Sequence, residues 1–193
     1  MKKRFFKTAL PMLLFVFGTL TVGTSCSNSD PIIPPVVLSC STIGTDFQNI
    51  FGTGGSVTYD FDVHSYDFKV SANKSICSIG YQSTAYNVNN PYTIKIYEAG
   101  VLVYNQPHVF SATQTSYVPL NLNLTAGLNY TLERIQTNSG PNNDQNIGRV
   151  KPVTFPLNSG FMTITASDYY FVSTNGTATL TNTNLPFIDV VFQ

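Results

Sequence analysis

Asp60, Asp62 and His64 alternate along a stretch that reads as extended chain, so in a strand two carboxylates and an imidazole would project from one face. Oxygen and nitrogen ligands at that spacing could form a metal half-site, and Asp67, Asp144, Asp168 and Asp189 could complete a calcium site at the rim of a β-module. The same pattern equally serves as the solvated acidic face of a strand. Catalysis has less to build on. His64 and His108 are the only histidines and neither lies in a recognisable catalytic motif; no Gly-x-Ser-x-Gly occurs, and Cys40 and Cys77 have no adjacent activating signature. We therefore read the chain as a non-enzyme with no cofactor. Sugar recognition would need aromatic stacking platforms beside polar groups that read hydroxyls. Tyr86, Tyr97, Tyr104, Tyr169 and Tyr170 are the candidate rings, and Asn142, Asn143 and Asp144 the candidate polar contacts. If Tyr169 and Tyr170 share a strand, at least one points away from the core. The absence of Trp weakens this reading, and tyrosines are also ordinary strand residues.

A separate piece of chemistry sits near the N-terminus. Lys2, Lys3, Arg4 and Lys7 precede a mostly apolar or small-residue run of 14 residues from Ala9 to Val22. That length suits a signal-peptide core and falls short of the roughly 20 residues that span a bilayer. The run ends in Val22-Gly23-Thr24-Ser25-Cys26, small residues before a cysteine. This resembles a lipobox in the relaxed form of Bacteroidota lipoproteins, with Gly23 and Ser25 where the stricter pattern has a Leu-like residue and Gly or Ala. The resemblance implies cleavage before Cys26, lipidation of its thiol and anchoring to a membrane of the cell envelope; ordinary secretion with cleavage nearby is the plainer alternative. Serine after Cys26 suggests the outer membrane. Residues 1–25 are then a signal peptide, and 26–40, polar and then proline-rich, a short tether.

These sites depend on elements whose type the composition bounds. Four of the ten Lys and Arg residues fall in the leader, leaving six against ten acidic side chains, a net charge of about −4. Without a basic run there is no electrostatic footprint for nucleic acid. Thr, Asn, Ser, Tyr and Phe are abundant, the composition of a pleated, half-buried surface with polar turns. Short alternating runs recur, and none keeps a 3.6-residue period, so almost no helix is expected. Tyr92, Ile94 and Ile96 share one face against Thr93, Lys95 and Tyr97, and Glu98-Ala99-Gly100 turns that strand into Val101–Tyr104 as a hairpin. Cys77, Ile79 and Tyr81 alternate, as do Leu120, Leu122 and Leu124. Residues 136–160, rich in Asn, Gly and Pro, read as a long loop or pair of loops and the first place for ligand contact. Cys40 and Cys77 form an even pair in an oxidising compartment, either as a disulfide or as two buried thiols.

The order of these runs, with Leu124-Thr125-Ala126-Gly127-Leu128-Asn129-Tyr130 and the closing Ile188-Asp189-Val190-Val191-Phe192, resembles a jelly-roll-like surface domain of unknown function in bacterial secreted proteins. The resemblance covers most of residues 60–193 and implies a recognition or accessory role; with leader and tether set aside, a single antiparallel β-sandwich, jelly-roll-like, is expected over residues 41–193. The functional expectation is a binding or adhesion module whose partner is a glycan or a surface protein. The alternatives are a carbohydrate-binding accessory domain or a pilus-like structural subunit that pairs edge strands.

Overall fold

The structure is a computed structural model that describes residues 40–85, 87–136, 148–173 and 176–193. The leader, Cys26, Tyr86, Asn142, Asn143 and Asp144, and all of the tether but Cys40, lie outside the described residues. A helix α1 (Asp46–Phe51) precedes thirteen strands: β1 (Ser56–Thr58), β2 (Val63–Val70), β3 (Lys74–Tyr81), β4 (Tyr92–Glu98), β5 (Val101–His108), β6 (Ser116–Leu124), β7 (Tyr130–Gln136), β8 (Gly148–Pro152), β9 (Leu157–Ser159), β10 (Met162–Ser173), β11 (Gly176–Thr181), β12 (Asn184–Pro186) and β13 (Asp189–Phe192). The large sheet runs β11-β10-β2-β7-β4-β5, with β9 beside β10; β13-β3-β6 and β1-β8-β12 form two smaller sheets, and all pairings are antiparallel. The fold is an antiparallel β-sandwich, as the alternating runs imply.

Alternation decides which side chains enter the core. Along β4, Tyr92, Ile94 and Ile96 are buried and the residues between them are partly exposed, and β7 buries Tyr130, Leu132, Arg134 and Gln136 in the same way. Across the sandwich, Ile76, Ile79, Leu120, Leu124 and Val190 complete the core, which Phe47 and Phe51 of α1 extend. The helix is a turn and a half long, too short for a periodic signal; the Thr45 hydroxyl caps it, accepting from the Gln48 backbone N–H at 3.0 Å.

Bulges shift that parity by one residue. Cys77 is skipped in both ladders of β3: Ile76 pairs with Leu122 and Phe192, and Ser78 with Pro119 and Val191. The core therefore takes Ile76, then Ile79 and Tyr81, and Cys77 does not share the inward face of the two residues it alternates with in sequence. The extra residue is re-aimed, and Cys77 bonds to Cys40 in a disulfide with Cα atoms 5.9 Å apart. Residues 148–159 also depart from the expected loop, since they hold β8 and β9.

The Leu124–Tyr130 motif is a corner between β6 and β7. The Tyr130 hydroxyl accepts from the Thr125 N–H at 2.7 Å and donates to Glu98 at 2.6 Å, a tyrosine corner of the kind found in Greek-key sandwiches. Gly127, at φ +80, makes the reversal, and its N–H donates to the Val70 carbonyl.

Candidate functional site

Of the three alternating metal candidates, Asp60 and His64 lie in the interior of the sandwich and Asp62 is partly exposed. Asp60 precedes β2 and is buried, paired with Arg134 of β7 at 2.8 Å, both side chains fully enclosed. Tyr81 and Tyr92 donate to its two oxygens at 2.9 and 2.7 Å. Arg134 also donates to the Phe61 carbonyl at 2.9 Å and lies over the rings of Tyr81 and Tyr92, about 5 Å from each centre. Gln136 donates to the Asp60 carbonyl and accepts from Asn87. Burial and the Asp60 carboxylate push the Tyr92 phenol up to about 12, so it stays protonated and able to donate. Burial by itself would lower the Arg134 pKa, but Asp60 and the surrounding tyrosines raise it.

His64 lies in the same layer. Its cross-strand partners are Arg134 on β7 and Tyr169 on β10, and the ring of Phe61 packs on it edge-on. The ring is fully buried, neither nitrogen has a hydrogen-bond partner among the described residues, and burial together with Arg134 holds its pKa well below the usual histidine value. The Tyr59 backbone favours the protonated ring slightly without making a hydrogen bond of good geometry.

The metal half-site expectation is therefore corrected. Asp60, Asp62 and His64 do not share a solvated face: Asp60 is engaged by Arg134 and two phenols, and His64 faces a cation. Asp67 accepts from Thr131 at 2.6 Å, whereas the oxygens of Asp189 accept from Thr45, Gln48 and Tyr117, each at 2.7 Å. Gly80 permits the last contact, because a Cβ there would come within 2.4 Å of the Tyr117 ring. Asp189 thus ties the cap of α1 to β13, and among the described residues no group of three or more His, Cys, Asp or Glu side chains could hold a metal ion.

Of the candidate stacking rings, Tyr169 is withdrawn, being 1% exposed against 38% for Tyr170. A bulge between Ile164 and Ala166 sets this choice, because it moves the inward positions of β10 from even to odd residues. Tyr97 is partly exposed, 3.3 Å from Glu133. Tyr104 stacks parallel to His108, with its hydroxyl 2.7 Å from Nε2. Two surface depressions, about 390 and 210 Å³, are lined by none of the candidate metal ligands, rings or polar contacts named from sequence; both include Lys74, whose ammonium lies 3.8 Å from the ring centre of Phe161.

Sequence reasoning missed Arg134 and Gln136, although a signal was available. The alternation Tyr130, Leu132, Arg134, Gln136 carries a cation and an amide onto the inner face of the sheet. It read Val101–Tyr104 as a strand but not as a sheet edge. Among the described residues β5 pairs with β4 alone; it contains no Asp, Glu, Lys or Arg, and exposes Val101, Leu102 and Val103, with Val109 exposed just beyond it.

No protein-family model matches the chain, and no curated protein matches it in sequence. The reading of function therefore rests on the residues themselves.

Proposed function

We propose that the chain is a non-enzymatic lipoprotein of the cell envelope, anchored through Cys26 at the outer membrane, whose β-sandwich serves as a binding or adhesion module. The observation that carries the binding reading is the β5 edge: eight residues with one row of backbone groups unpaired among the described residues, bearing exposed aliphatic side chains and free of charge. Exposed sheet edges are usually blunted by charged residues, prolines or bulges. β5 has Pro107 and a bulge near Val103, but no charge, which leaves it able to accept an extended segment of a partner. The exposed ring of Tyr170 favours sugar recognition on the sheet's outer face as a second reading.

Two experiments test this. In cells making the whole chain, a fatty-acid probe should label the protein, and Cys26→Ser should abolish the label; unchanged labelling overturns the anchor. For the module, concentration-dependent association lost in Leu102→Lys supports the edge, and glycan-array signals lost in Tyr170→Ala support sugar recognition. Absence of both overturns the binding reading.

A further inference from the structure

The row Tyr169, His64, Arg134 crosses the inner face of the large sheet at one end of the sandwich. The layer above it includes the Asp60–Phe61 segment, held by the Asp60–Arg134 ion pair, by hydrogen bonds from Tyr81 and Tyr92 to Asp60, and by Arg134 donating to the Phe61 carbonyl. Phe61 itself stacks on Phe171, 4.8 Å between centres, and meets His64 and Tyr169 edge-on. Apart from the Gln136 amide on the Asp60 carbonyl, the polar groups that fix this segment assume one buried cation and one buried anion.

We propose that His64 is an acid-operated latch: protonation of its ring sets a second cation beside Arg134 and releases the Asp60–Phe61 segment, uncovering the aromatic layer beneath. Among the described residues, the groups facing the ring offer the new charge no counter-ion, although the Tyr59 backbone favours it. From β7 comes the Arg134 guanidinium, from β10 the neutral phenol of Tyr169, and from the chain ahead of β2 the Phe61 ring and the Tyr59 backbone. The Asp60 carboxylate, the anion of this cluster among the described contacts, is already engaged by Arg134, Tyr81 and Tyr92. A buried charge without a partner is strongly disfavoured, so the fold holds the ring neutral.

The sign follows from proton counting. The opened or unfolded state takes up a proton near the ordinary histidine value of about 6.5, while the closed state does not. Stability is therefore complete above that pH and falls below it, by up to about tenfold in the closed-to-open ratio per pH unit, until the closed-state ring itself titrates. This window lies above the ordinary carboxylate range of about 4, which separates the latch from general acid unfolding.

Thermal unfolding of the whole chain tests this between pH 7.5 and 5.5. The native protein should lose about 3–5 °C in midpoint over that interval, His108→Gln should keep most of that loss because burial lowers the His108 ring less far than His64, and His64→Phe should lose little of it. An equal loss in His64→Phe overturns the proposal. Should that variant not fold, nuclear magnetic resonance of the native protein decides, because its two histidines are readily told apart. A His64 ring that stays neutral until the amides of residues 60–64 begin to exchange supports the latch, and one that titrates near 6.5 while those amides remain protected overturns it.

Discussion

At the scale of single residues, the end of the sandwich near Asp60 spends its polar side chains on each other. Removing either member of a fully buried ion pair leaves the other charged and enclosed, which costs about 3–5 kcal/mol. Arg134→Met or Asp60→Leu alone should therefore lower unfolding stability by that order in urea titrations, whereas the double change should cost clearly less than the sum. Additive losses would mean that the two side chains act independently. The phenols matter to the same balance, since Tyr81 and Tyr92 satisfy the oxygen atoms that the guanidinium leaves open. From sequence, Asp60 and His64 look like a solvated pair because alternation reports only that residues share a face, and which face is decided by what the chain places above it. The even positions of β7 carry Tyr130 and Leu132 inward, and Arg134 follows them by the same periodicity.

At the scale of elements, alternation located the strands well, while single-residue insertions hid the parity beyond them. A bulge at Cys77 and another between Ile164 and Ala166 each exchange inward for outward positions, and nothing local in Ser-Ile-Cys-Ser or Ile-Thr-Ala marks them. Turns were easier to read. The expected hairpin forms with Ala99 at φ +48 and Gly100 at φ +83, the two left-handed residues of a two-residue connection. Alanine tolerates that conformation poorly, whereas asparagine adopts it more readily. Ala99→Asn should stabilise the protein by about 0.5–1 kcal/mol in chemical denaturation; a loss of stability would show that the Ala99 side chain matters to packing there. The helix escaped notice because six residues give no period to detect, and Thr45 became legible as a cap only once Asp189 was seen to receive its hydroxyl proton.

At the scale of the whole molecule, the sandwich was legible and its staple was left open. Composition and turn spacing bound the fold class, whereas a disulfide depends on the distance between Cys40 and Cys77, which β3 and its bulge determine. Closing a span of 37 residues should add about 4 kcal/mol by restricting the unfolded chain, a loss to be seen in denaturation after reduction.

The same bond also sets a route for mechanical load. A pull on the chain ahead of Cys40 enters the fold through sulfur atoms at Cys77, on the middle strand of β13-β3-β6, and bypasses α1, β1 and β2. Stretched from its ends in a force spectrometer, the oxidised protein should show about 120 Å less contour length than the reduced one, the reach of the sequestered residues. A tethered adhesion module built this way would keep its first three elements out of the line of tension.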